Sequence, residues 1–192
     1  TRYSWLTAFA GKYMNDWLTI SASALATIIN EDVKEGGSAG NHRKLTPYIS
    51  ASFKPFYHEE FRIRFFYKDI FRLPSFNDLY YQEVGNTKLR PENARQYNVG
   101  LTYSKNVCPF LPYLSATIDA YYNKVTDKII AYPTKNLAVW SMRNLGEVEI
   151  KGIDATGSLS LQPWERIRIN LSSNYTYQQA LDITNSDPTT EA

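Results

Sequence analysis

Arg166-Ile-Arg-Ile-Asn-Leu-Ser-Ser-Asn-Tyr-Thr-Tyr177 decides the fold of this chain. In an extended strand Ile167, Ile169, Leu171, Ser173, Tyr175 and Tyr177 share one face, and Arg166, Arg168, Asn170, Ser172, Asn174 and Thr176 share the other. Upstream, Ile153, Ala155, Gly157, Leu159 and Leu161 alternate with Asp154, Thr156, Ser158, Ser160 and Gln162. Leu114, Ala116, Ile118, Ala120 and Tyr122 form a third such face, and Tyr97, Val99, Leu101 and Tyr103 a fourth. Noisier versions follow at Phe61–Tyr67, Ile49–Phe53 and Leu18–Ala26, where Leu25 interrupts the polar side, and Tyr3–Ala10 is the least regular. About eight antiparallel strands are expected, with no helix of comparable clarity.

The connections between these segments alternate. They are short at Gly11–Asp16, Pro55–Glu60, Lys105–Pro112 and Pro163–Glu165, and long at Asn30–Lys44, Phe71–Asn93 and Lys124–Leu145. Short turns at one end and long loops at the other are the mark of an up-and-down transmembrane β-barrel; a soluble sandwich with Greek-key links has no reason to sort them. Aromatic residues gather at the short turns: Tyr13 and Trp17; Phe53, Phe56, Tyr57 and Phe61; Tyr103, Phe110 and Tyr113; Trp164. Amphipathic rings suit a membrane–water boundary, although hairpin ends of a soluble sheet carry such residues as plugs too. Register is strongly constrained. A one-residue slip of the last strand would send Arg166 and Arg168 into lipid, at roughly 2–4 kcal/mol each near the midplane.

Composition agrees by what it excludes. The 192 residues carry 21 Lys plus Arg against 19 Asp plus Glu, a net charge of +2; this near-balance gives no clustered basic face and no nucleic-acid partner. The one cysteine, Cys108, rules out an internal disulfide and a Cys-based zinc site. Mean hydropathy is −0.41, and the longest apolar runs, Ile129–Tyr132 and Leu137–Trp140, fall far short of the roughly 20 residues of a spanning helix. Gly36-Gly-Ser-Ala-Gly40 lacks the Lys-Ser/Thr of a phosphate loop. His42 and His58 stand apart and form neither a metal pair nor a triad. No catalytic residue, metal or cofactor is expected, and the chain does not read as an enzyme. Thr1 follows no visible leader and Asp187–Ala192 reads as mid-loop, so a piece of a longer protein is expected.

Four stretches carry a resemblance. Phe71-Arg-Leu-Pro-Ser-Phe-Asn-Asp-Leu-Tyr-Tyr81, Gly85-Asn-Thr-Lys-Leu-Arg-Pro-Glu92 and the strand Gln96–Tyr103 resemble, in order and spacing, the barrel of TonB-dependent outer-membrane receptors. Asn144-Leu-Gly-Glu-Val-Glu-Ile-Lys-Gly-Ile-Asp154 resembles the family's strand-opening box, with Asp154 where Glu is usual. The resemblance implies about eight meandering strands, residues 1–192, of a barrel of about 22, with the plug domain, the TonB box and the C-terminal strand absent from this stretch. It implies a Gram-negative outer-membrane receptor that uses TonB-supplied energy to import a bulky, scarce solute such as a ferric siderophore or cobalamin. Its partners would be outer-membrane lipid, the plug of the same chain, TonB and a small-molecule substrate.

Site candidates follow from these faces and loops. Arg62, Arg64, Arg166 and Arg168 are expected to line the lumen, to attract an anionic solute or to pair with acids on the plug or neighbouring strands. Tyr80, Tyr81, Tyr132 and Trp140 are candidate ligand contacts in long loops, by stacking or, for Tyr80 and Tyr81, by ligating ferric iron; loop closure is the competing role. Residues Gly85–Glu92 either meet the ligand or shape turns. No His lies between Phe71 and Glu92, which argues against haem, since haem-uptake members carry one there. Two other readings stay open at this point: a passive porin-like barrel or adhesin, and a soluble β-sandwich that binds carbohydrate through Tyr and Trp.

Overall fold

A computed structural model describes residues 1–32, 40–58, 60–81, 84–133 and 140–184. Eight strands form one antiparallel sheet in sequence order: β1 (Arg2–Met14), β2 (Leu18–Glu31), β3 (His42–Phe53), β4 (Glu60–Arg72), β5 (Glu92–Lys105), β6 (Tyr113–Pro133), β7 (Trp140–Trp164) and β8 (Ile167–Asp182). The outer edges of β1 and β8 are not paired with each other, so the sheet is an open arc. Among the described residues no second layer lies against it, which speaks against the carbohydrate-binding sandwich.

The ladder joins the alternating faces read from the sequence into one surface. Ile20, Ala51, Phe65, Val99, Ala120, Ile153 and Tyr177 form a single cross-strand row. On β5 and β6, well inside the sheet, Val99 and Ile118 are still 52 % and 50 % exposed. A chain folded for water would bury such positions first; here the apolar face points outward along its whole width. The buried apolar residues among those described, Ile29, Leu79, Leu89, Val125, Ile129 and Val148, all belong to the long-loop end.

Aromatic bands bound the apolar face. At the short turns Trp17 meets Phe53 edge-on at 5.9 Å and Phe56 lies 6.0 Å from Phe61. Towards the other end Tyr67, Tyr97 and Tyr122 line up across β4, β5 and β6, with ring centroids 5.0 and 6.1 Å apart. From Leu114 to Tyr122 is about 27 Å of strand, and a tilt of ~40° reduces that to about 21 Å, near the height of an apolar bilayer band.

One expectation is revised. Residues Lys124–Leu145, read as loop, are mostly ladder: β6 and β7 stay paired to Pro133 and Trp140. Backbone pairing continues there although the apolar–polar alternation fades. The structure adds one short helix to the all-β chain, α1 (Phe76–Tyr80), a single turn opened by a capping box in which Ser75 and Asp78 bond each other's backbone N–H.

Candidate functional site

The long-loop end is built by the two sequence boxes locking onto each other. After α1 the chain turns back on itself, and the Gly85 N–H donates to Tyr81 O at 2.7 Å. A Cβ at Gly85 would stand 2.6–2.8 Å from three backbone atoms of Leu79 and Tyr81, so only glycine fits. The returning segment then meets β7. The Met142 N–H donates to Val84 O at 2.9 Å, and Asn86 Nδ2 donates to Met142 O at 2.9 Å. Reciprocally, Asn144 Oδ1 accepts the Arg90 N–H at 2.8 Å while its Nδ2 donates to Arg90 O at 2.9 Å and Asp127 O at 2.7 Å. Each asparagine satisfies backbone groups on the partner segment. Asp127, held at a φ of 55°, also takes the Arg90 guanidinium, at 2.8 Å from Nε. Leu79, Leu89 and Ile129 form a small core beneath, with Tyr80 and Met142 packed against it. Gly85–Glu92 is thereby shown in a structural arrangement.

The opposite flank of this loop reaches β1 and β2. Arg2 donates to Pro74 O at 3.2 Å, pairs with Glu31 at 3.3 Å and lies 4.6 Å from the Phe76 ring centroid. Tyr80 Oη donates to the same Glu31 at 2.6 Å. Tyr80 is thus half-buried and engaged, whereas Tyr81 at the end of α1 is exposed. Tyr132 and Trp140 stand exposed at the far end of the β6–β7 ladder, opposite Ser141 and Pro133, with the Arg143 guanidinium 5.3 Å over the Tyr132 ring. The four aromatic candidates share one end of the sheet, on two segments that the asparagine lock joins.

The arginines sit on the polar face or beside it. Arg64 Nη2 donates to both carboxylate oxygens of Asp119, at 3.0 and 2.9 Å, although Asp119 is two strands away. Gly100 lies between them in the row Ser52, Arg64, Gly100, Asp119, Asp154, Thr176. Any Cβ on Gly100 would fall 2.2 Å from Asp119 Oδ1, so the missing side chain is what lets the pair close over β5. Arg62 lies 3.9 Å from Glu60. Arg168 donates to Gln162 at 3.3 Å, and Arg166 occupies the β7–β8 turn rather than β8 itself. Asp119, Asn86 and Asn144 were not singled out as site residues from the sequence; the glycine inside an otherwise regular strand was the signal for the first.

Among the described residues no group of three His, Cys, Asp or Glu is placed to hold a metal ion. Cys108 is exposed in the β5–β6 turn, and the His58 ring stands edge-on to Tyr57 at 5.2 Å. At the short-turn end, outside the apolar band, the Lys54 ammonium holds the Glu60 carboxyl below its ordinary pKa.

An all-antiparallel meander with its apolar side outward and its polar side lined by paired charges defines an arc of a membrane β-barrel. The chain belongs to the TonB-dependent receptors: the family model described as "TonB dependent receptor-like, beta-barrel" matches residues 2–192. The vitamin B12 transporter BtuB of Vibrio vulnificus (strain YJ016) is 34 % identical over 84 residues, which cover 44 % of this chain and 13 % of that protein. The FrpB iron transporter of Neisseria meningitidis matches 93 % of this chain and 26 % of its own at a TM-score of 0.63 and 12 % identity. The copper transporter OprC matches 93 % of this chain and 29 % of its own at a TM-score of 0.66 and 14 % identity. These relatives are transporters, not enzymes, and the two structural matches bear on the fold alone.

Proposed function

We propose that the chain is the middle of the barrel wall of a Gram-negative outer-membrane receptor that imports a bulky, scarce nutrient, a ferric siderophore, cobalamin or a comparable solute, with energy supplied through TonB. The observation that carries this reading is the outward apolar face between two aromatic bands, on a sheet of the receptor family's barrel. Lipid covers that face. The polar face lines the lumen, where a plug domain of the full-length chain packs and where Arg62 and Arg168 face passing solute; Arg64 is committed to Asp119. Tyr81, Tyr132 and Trp140, exposed at the long-loop end, supply first contacts by stacking; Tyr80 braces them through Glu31.

The test is uptake by the full-length receptor in a host that lacks its own transporters for labelled cobalamin and ferric siderophores, with and without functional TonB. Saturable uptake of one such solute, lost with TonB, is the expected result. Uptake that neither saturates nor depends on TonB would identify a passive pore instead.

A further inference from the structure

At the short-turn end the β1–β2 and β3–β4 turns are fixed side by side. Asn15 Oδ1 accepts the N–H groups of Trp17 and Leu18, at 3.1 and 2.7 Å, which shapes the first turn. The Lys54 N–H then donates to Trp17 O at 2.7 Å and ties the second turn to it. Between them opens a cavity of about 630 Å³ lined by Asp16, Trp17, Lys54, Pro55 and Tyr57. It lies past the apolar face: Phe53 is the last residue of β3, Trp17 stands edge-on to it, and Tyr57, further along the turn, is 83 % exposed.

The polar groups of this cavity are unevenly engaged. Lys54 is taken by Glu60. Asp16, the Trp17 indole N–H and the Tyr57 hydroxyl make no ion pair or hydrogen bond among the described residues. Two aromatic rings beside a proline, with two free donors and one uncompensated carboxylate, make a surface suited to a polyproline II helix. Such a helix has no internal hydrogen bonds, so its carbonyls remain open to the indole and phenol donors. Its pyrrolidine rings supply rigid apolar surface for Trp17 and Tyr57, and its stiffness lowers the ordering cost of binding. A Lys or Arg in the same segment answers Asp16. A phospholipid headgroup would instead bring a phosphate to a cavity without a free cation, and a neutral glycan would leave the carboxylate unanswered.

We propose that this cavity binds a proline-rich, basic segment of a periplasmic protein. The proposal rests on the membrane placement given above, in which short turns face the periplasm. The test is fluorescence anisotropy on the full-length receptor in lipid nanodiscs, with labelled peptides of Pro-Pro-Lys, Pro-Pro-Glu or Gly-Ser-Lys repeats of equal length. The Pro-Pro-Lys peptide is expected to bind, and the other two roughly tenfold more weakly. Tyr57→Ala is expected to weaken binding roughly tenfold, as loss of an aromatic anchor warrants. Asp16→Asn is expected to weaken it about twofold to fivefold, as one exposed ion pair warrants, with a shallower salt dependence. Equal binding of either control peptide, or unchanged affinity in either variant, overturns the proposal; displacement by micromolar N-acetylglucosamine oligomers would reassign the rings to a glycan and overturn the peptide partner. Both substituted side chains are exposed, and heat-modifiable migration of the same samples reports folding. A folded, inserted receptor that ignores the Pro-Pro-Lys peptide overturns this site alone, whereas a full-length chain that does not insert into bilayers counts against the barrel.

Discussion

Gly100→Ala is expected to change sign with its surroundings. In the native chain the new Cβ would sit 2.2 Å from Asp119 Oδ1 and 2.9 Å from Arg64 Nη2, so the ion pair must open. The side chains of Arg64 and Asp119 are 39 % and 21 % exposed, between the nearly worthless exposed pair and the costly broken buried one; the loss is about 1–2 kcal/mol. In a background carrying Arg64→Ala and Asp119→Ala the three atoms nearest that Cβ are gone, since all of them belong to those two side chains. Alanine then replaces glycine inside a strand and stabilises by about 0.5–1 kcal/mol. The measurement is urea unfolding of the full-length receptor in lipid vesicles, followed by tryptophan fluorescence, in the four combinations of a thermodynamic cycle. Equal destabilisation of both backgrounds by Gly100→Ala would refute the idea that the glycine exists to let the pair cross β5.

Three further outcomes are expected. Ile118→Arg should destabilise the folded receptor by about 2–4 kcal/mol in bilayers while neighbouring Thr117→Arg, on the polar face, costs far less; similar losses would mean that the faces are misassigned. Asn144→Ala removes three hydrogen bonds and should cost about 1–3 kcal/mol, with hydrogen exchange accelerating first at the Arg90 and Met142 amides rather than in mid-sheet. Glu60 has its pKa lowered in the folded chain by Lys54, from an ordinary 4.5. Its contribution is therefore fully present above that ordinary value and fades as pH falls through the lower folded one; Glu60→Gln should flatten this acid limb of the stability profile by lowering the neutral-pH plateau slightly, and leave the most acidic end unchanged.

The strands were legible because each must satisfy two unlike environments at once. Lipid on one side and water on the other enforce period two, and Ile169 opposite Leu161, or Val99 opposite Ala120, follows from that alone. Beyond Tyr122 the constraint lapses, and there the reading failed: Lys124–Pro133 alternates poorly but goes on pairing. Alpha-helix α1 is too short for periodicity to register, though Ser75 and Asp78 spelled its cap. The partner of Arg64 was hidden because cross-strand neighbours two strands apart emerge only from register, with Gly100 as the one local hint. The Asn86–Asn144 lock joins residues 58 positions apart, and no spacing rule reports that.

Alternation has a consequence for how such a polypeptide travels. Its greasy side chains are interleaved so evenly with hydrophilic ones that the extended chain, with mean hydropathy −0.41, offers a secretion channel nothing resembling the roughly 20-residue stop signal of a helical span. The same residues in consecutive blocks would lodge in the first membrane they met. Lipophilicity here is latent: it appears only when strands align, which delays commitment to a bilayer until the ladder forms.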